Sequence, residues 1–81
     1  MDIRLGIYTH FKHPDQKYEV LGMGRHSETG DRMVIYKPLF AGSALEETGE
    51  SYWVRPAAMF LESVDRDGYQ GPRFTYHGPN A

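Results

Sequence analysis

Short runs of alternating apolar and polar residues recur along the chain, with turn-forming residues between them. The clearest runs cover residues 5–11, 17–27 and 32–40, and alternation with a period of two is typical of strands with one buried face. Shorter runs at 51–56, 60–64 and 72–76 predict further strands. Pro56 before AAMF predicts one helical turn, since proline suits the first turn of a helix. The pattern predicts an all-β fold, a small SH3-like barrel of about five short strands with one helical turn before the last core strand.

The amino-acid composition suits a small barrel and limits the kinds of interaction that can stabilise it. Aromatic residues make up 14% of the chain, with six Tyr and four Phe, and large rings can fill a narrow barrel interior. The chain has no Cys, which excludes disulfide bonds and thiolate zinc ligands. At 81 residues we expect a single β-barrel domain at residues 1–76 and a flexible tail at residues 77–81.

The net charge and the hydropathy of the chain limit the classes of partner that it is expected to bind. The formal net charge is −2, with eleven acidic against nine basic residues, whereas a protein that binds the phosphate backbone usually has a basic excess. The sequence therefore argues against broad DNA binding. No apolar run is long enough to span a membrane and the N-terminal residues do not resemble a signal peptide, so we expect a cytoplasmic protein with no membrane partner.

Polar residues at the end of the second predicted strand form the first candidate site. The segment RHSET at residues 25–29 leads into Gly30, which suits a turn with a positive φ. Pairing of Ser27 with Asp31 would place Arg25 opposite Met33 and Gly22 opposite Tyr36, with His26 on the face of Tyr18, Val20 and Tyr36. Two interpretations stay open: a solvated hairpin end, or half of a recognition site.

The segment WVRP at residues 53–56 is the second candidate site. Trp53 and Arg55 are two positions apart and share a face of a strand, whereas Val54 is expected to point into the core. A tryptophan ring offers a stacking surface, and a guanidinium group can bind a carboxylate or a phosphate through two hydrogen bonds. The alternative is that Trp53 fills the core and Arg55 bonds a loop carbonyl.

The histidines and neighbouring polar residues do not form a recognisable catalytic or metal motif. His10, His13, His26 and Glu28 are residue types that ligate zinc, but their spacing matches no strong metal signature. His26 and Ser27 are adjacent on a strand and point to opposite faces, which excludes them as a base and nucleophile pair. We therefore predict no metal, no cofactor and no catalytic residue.

Several motifs together resemble a known family. They are YxHFK at 8–12, YEVLG at 18–22, RHSET at 25–29, WVRP at 53–56, MF at 59–60 and PRF at 72–74. These stretches are similar to the small bacterial family catalogued as domain of unknown function 1653, over about residues 5–76. Gly24 stands where that family often has Ala, Lys37-Pro38 where it often has Arg-Ala, and the loop at residues 41–50 looks longer than usual. The resemblance implies a bacterial domain without an established activity and supplies no catalytic residues.

The functional prediction is a binding module with a groove between the RHSET hairpin and the WVRP strand. Its ligand is expected to be an anionic or polar small molecule, a nucleotide or a peptide, and the protein a monomer or weak homodimer. The alternative is a structural or regulatory domain that docks a partner protein through a sheet edge; a small enzyme ranks third. The candidate ligand-binding residues are Arg25, His26, Glu28, Tyr36, Trp53, Arg55 and His10.

Overall fold

Seven strands and two short helices are present in a computed structural model, which describes residues 3–66 and 68–79. The elements are β1 (Gly6–His10), β2 (His13–Arg25), β3 (Arg32–Pro38), α1 (Ala44–Thr48), β4 (Trp53–Pro56), α2 (Ala57–Phe60), β5 (Ser63–Arg66), β6 (Tyr69–Pro72) and β7 (Phe74–Gly78). The predicted all-β class is confirmed, and the helical turn expected at AAMF is α2. The closer likeness to an SH3 barrel stays a prediction.

The main sheet has five antiparallel strands in the order β4-β3-β2-β1-β7, and β5 pairs with β6 in a second sheet. The pairing of β1 with β7 brings the two ends of the described chain together, with His10 opposite Phe74 and Tyr8 opposite Tyr76. Because β1 is the first and β7 the last of the described strands, this pairing joins residues that are far apart in sequence.

A β-bulge in β2 changes the register that the sequence predicts. Val20 pairs with Tyr36, but the next pair joins Gly22 to Ile35, so Leu21 is the extra residue. An extra residue reverses the facing of all positions that follow it. Gly22 therefore does not lie opposite Tyr36, and the predicted pairing was wrong there.

The same bulge moves the hairpin motif. Arg25 pairs with Arg32 instead of Met33, and the backbone N–H of His26 donates to the carbonyl of Asp31 at 2.7 Å. Since Met23 pairs with the buried Val34, the positions that alternate with it, Gly24 and His26, belong to the opposite face. The expectation that His26 shares a face with Tyr18, Val20 and Tyr36 was therefore wrong.

The core is a cluster of aromatic rings over the concave side of the main sheet. Phe60 of α2 stacks on Phe74 with 4.1 Å between centroids and 6° between planes. Tyr8 and Tyr36 meet Phe60 edge-on at 5.2 and 5.6 Å. Edge-to-face and offset-stacked contacts of this kind stabilise an aromatic core beyond the burial of its surface, so α2 contributes through Phe60 far more than its four residues would suggest.

Two segments that the sequence predicts as irregular contain regular structure. Residues 41–50 include α1, which buries Leu45, so this connection is anchored to the domain. His77 and Gly78, expected in a flexible tail, belong to β7, and the Nε2 atom of His77 lies 2.8 Å from the hydroxyl of Thr9. The same expectation for residues 80 and 81 lies outside the described residues.

The β1–β7 contact yields a test of the fold. Gly6 has φ of +134°, and an added Cβ would meet the Gly78 carbonyl and, at 2.8 Å, the Cα atom of Pro79. We expect Gly6→Ala to lower the free energy of unfolding by about 2 kcal/mol, because both the backbone conformation and the close approach oppose a side chain.

Gly22→Ala is the matched control, since an added Cβ there has no atom within 4 Å. Urea denaturation of both variants should show a clear loss for Gly6→Ala and a change within about 0.5 kcal/mol for Gly22→Ala. Equal stability of the two variants would contradict the described β1–β7 approach.

Candidate functional site

The pairing of β3 with β4 determines which way the WVRP segment faces. Trp53 pairs with Tyr36 and Arg55 with Val34, and residues paired across antiparallel strands share a face. Since Tyr36 and Val34 are buried, Trp53 and Arg55 lie on the concave side of the sheet. Val54 lies on the other side and is 57% exposed. The prediction that Val54 points into the core was wrong, because the outer face of this edge strand is uncovered.

A cleft of about 420 Å³ opens beside Trp53 and Arg55. Four of the predicted site residues line it, namely His10, Tyr36, Trp53 and Arg55, together with Tyr18, Phe40, Ser43 and Phe74. The volume lies within the range typical of small-molecule sites. Residues from β1, β2, β3, β4 and β7 and from the segment before α1 thus form one concave surface.

Phe74 contacts two polar side chains of the cleft, Arg55 and His10. The Arg55 guanidinium carbon lies 5.5 Å from the Phe74 ring centroid, and the His10 ring meets Phe74 edge-on at 5.0 Å. The Nε atom of Arg55 also donates to the Tyr36 hydroxyl at 3.3 Å. A guanidinium held by a cation–π contact and a hydrogen bond has a defined position.

The cleft is electropositive. None of the described residues that line it is Asp or Glu, and the ion pairs among residues 3–66 and 68–79 are Lys37 with Glu19 and Arg73 with Glu62. Within that part of the chain, Arg55 therefore has no carboxylate partner within 4.0 Å. Its hydrogen-bonded nitrogen is Nε, which leaves the two terminal amino groups for a molecule in the cleft.

His10 is held in its neutral form. Burial is the main cause that lowers its pKa from 6.5 to about 4, and the positive charges of Arg55 and Arg73, with smaller effects of His13 and Lys12, lower it further. The Nδ1 atom of His10 accepts a hydrogen bond from the backbone N–H of Lys12 at 3.2 Å. The proton of the neutral ring therefore lies on Nε2, which makes this atom a donor.

The other three predicted site residues lie at the β2–β3 turn. Arg25 donates through Nη1 to the Gly30 carbonyl at 2.8 Å. His26 accepts through Nδ1 from the backbone N–H groups of Glu28 and Thr29 at 3.2 and 3.3 Å. Through these bonds, Arg25 and His26 satisfy backbone groups of the turn itself.

The expected convergence of Arg25 with Arg55 is not observed. Arg25 and His26 border a separate depression of about 260 Å³, to which β4 contributes Val54. The hairpin and the WVRP segment therefore do share a groove, but on the face opposite Trp53 and Arg55, because alternate residues of β4 serve the two faces.

Sequence reasoning missed Tyr18, Ser43 and Phe74 as parts of the cleft. The PRF motif at residues 72–74 marked Phe74 as notable, but no local pattern shows that it pairs with His10. Ser43 is 8% exposed, and its Oγ atom has no hydrogen-bond partner in the described structure. Serine at the start of a helix usually bonds the helix backbone through its hydroxyl, and at α1 it does not.

Among residues 3–66 and 68–79, no three His, Cys, Asp or Glu side chains are close enough together to hold a metal ion. The same residues contain no helix with the length and hydropathy needed to cross a membrane.

Comparison with known proteins identifies the family. The model of a family described as "Protein of unknown function (DUF1653)" matches residues 6–76. The chain belongs to the DUF1653 family. A crystal structure of a DUF1653 protein from Bordetella bronchiseptica is similar to this chain, with a TM-score of 0.79 and 33% identity over 96% of this chain and 91% of the other. No protein with a curated description matches.

The lowered pKa of His10 makes the stability of this DUF1653 domain depend on pH. Between pH 6.5 and about 4 the unfolded chain binds more protons at this position than the folded one, so the free energy of unfolding falls as the pH falls through this range. Urea denaturation at a series of pH values should therefore give a shallower slope for His10→Gln than for the natural sequence.

His13→Gln serves as the control, because His13 is exposed while the carboxylates that also titrate are common to all the variants. Its slope should stay closer to that of the natural sequence than the slope of His10→Gln does, because His13 ranks below burial, Arg55 and Arg73 among the causes that lower the pKa of His10. The account of His10 would be wrong if both variants had the same slope.

Proposed function

We propose that this DUF1653 domain is a binding module for a small anionic ligand, held in the cleft formed by His10, Tyr36, Trp53 and Arg55. The observation that carries the proposal is the position of Arg55. Its guanidinium lies at a cleft whose described lining residues include no Asp or Glu, and within the described chain no carboxylate forms an ion pair with it. A partly buried cation without an anionic partner is a common feature of anion-binding sites.

The surroundings of Arg55 support binding in preference to a purely structural role. A structural arginine is usually paired with a carboxylate or bonded to several backbone carbonyls. Arg55 instead contacts an aromatic face and one phenol, contacts that orient the guanidinium without neutralising it. An incoming carboxylate or phosphate would supply the missing charge.

His10 and Trp53 give the cleft two further properties. Neutral His10 offers an uncharged donor at Nε2, and Trp53 is 37% exposed, so its indole ring is open to contact from the cleft. Anionic ligands with an apolar portion fit this combination better than free inorganic ions, since the aromatic wall gains stability only from apolar contact.

Titration of the ¹⁵N-labelled protein with sodium phosphate, AMP and sodium benzoate, followed by amide NMR, tests the proposal. We expect at least one of these anions to shift the resonances of residues 10, 36, 53 and 55 in a saturable way. Arg55→Gln should weaken that binding about tenfold or more, because a charge-assisted hydrogen bond is lost.

Arg25→Gln is the matched control, since Arg25 is an arginine of the same sheet that does not line the cleft. It should bind as the natural sequence does. Absence of any saturable shift at the cleft with all three anions, or unchanged affinity in Arg55→Gln, would contradict the proposal.

A second candidate function is docking of a partner protein along β4. This strand is at the edge of the main sheet, and Tyr52 and Val54 are 53% and 57% exposed. Uncovered edge strands with apolar side chains can add a strand from another chain. Concentration-dependent shifts limited to Tyr52 and Val54, with no response to anions, would favour this candidate.

A further inference from the structure

We propose that the cleft selects ligands that carry a flat aromatic ring and a single carboxylate group. The inference rests on the proposed function and names the ligand class for the same site. It follows from the charge at the cleft, from the uncharged donors that line it and from its aromatic side chains.

The charge at the cleft matches a monoanion. Arg55 is the one Arg or Lys among the described residues that line it. His10 does not add a second charge near neutral pH, because burial and the nearby Arg55 lower its pKa to about 4. A phosphate monoester carries close to two negative charges at pH 7, and the second would be left without a partner in a partly buried site.

Uncharged donors at the cleft suit the remaining lone pairs of a carboxylate. The Tyr36 hydroxyl accepts from Arg55 Nε, so its own proton is available to donate. Ser43 Oγ is buried at the cleft without a hydrogen-bond partner among the described residues, and the proton on His10 Nε2 is a third donor. A carboxylate has about four lone-pair positions, which the guanidinium and these donors can satisfy without a further positive charge.

The aromatic side chains of the cleft account for the preference for a ligand with a flat aromatic ring. Trp53 is the most exposed aromatic residue at the cleft, whereas Tyr36 and Phe74, which also line it, are buried. Tyr18 meets both Tyr36 and Phe40 edge-on, with centroids 5.6 and 5.3 Å apart, so three further aromatic rings of the cleft lining contact one another. A flat ring can stack on the indole while its carboxylate reaches Arg55, and the volume of about 420 Å³ accommodates a bicyclic ring.

A matched series of bicyclic compounds separates the effects of the ligand's charge and of its flat ring. Their affinities are measured by amide NMR at pH 7. The reference probe is 2-naphthoate. The neutral 2-naphthamide tests the charge, decalin-2-carboxylate tests the flat ring, and 2-naphthyl phosphate tests the preference for a monoanion. We expect 2-naphthoate to bind at least tenfold more tightly than each of the others, with the shifts centred on residues 10, 43, 53 and 55.

Substitutions at Trp53 and Ser43 assign the preferences to side chains. Trp53→Leu should reduce the ratio of the affinities for 2-naphthoate and decalin-2-carboxylate towards one, and Trp53→Phe should preserve most of it, which also covers the case that the leucine variant does not fold. Ser43→Ala should weaken 2-naphthoate while leaving 2-naphthamide nearly unchanged. Val54→Ala, on the opposite face of β4, is the control and should bind like the natural sequence.

Several results would overturn the inference. If 2-naphthamide binds as tightly as 2-naphthoate, the charge is not recognised. If decalin-2-carboxylate binds as tightly, the flat ring is not recognised. If 2-naphthyl phosphate binds more tightly, the site prefers a dianion. If phosphate or AMP binds at the cleft and no naphthalene compound does, the inference is wrong and the proposed function stands. If no anion binds there, both are wrong.

Discussion

The packing of Phe74 is the interaction on which both the core and the cleft depend. Phe60 stacks on its ring at 4.1 Å, which joins α2 to the main sheet. The same ring carries Arg55 by a cation–π contact and meets the edge of His10. The Phe74 ring is buried in the core and also contacts polar groups of the cleft. The position of the candidate site therefore depends on the stability of the fold. The cleft is therefore a product of core packing and not an addition to a loop.

This arrangement also explains the electrostatics of the cleft. Bringing Arg55 and His10 to one aromatic ring places an imidazole near a guanidinium in a partly buried setting, and both burial and charge favour the neutral imidazole. Among the described residues that line the cleft, Arg55 is the one Arg or Lys. The negative net charge of −2 hides this local feature, because net charge describes the whole surface and not a single cleft.

Local patterns in the sequence predicted much of the fold and about half of the candidate site. Alternation located the strands around Ile7, Val20 and Val34, and the spacing of Trp53 and Arg55 placed them on one face, as observed. The bulge at Leu21 was not predictable from alternation, and it reversed the facing of His26. Phe74 and Ser43 reach the cleft through contacts between segments far apart in sequence, which no local pattern encodes.

The central claim is that Arg55 and His10 share one partly buried site over Phe74. Titration of the His10 imidazole Cε1–H signal by NMR, in the natural sequence and in Arg55→Gln, tests it most directly. The account predicts a pKa of about 4 for His10 in the natural sequence and a higher value in the variant, still below 6.5 because burial remains. A His10 pKa near 6.5 that does not respond to Arg55→Gln would contradict the account.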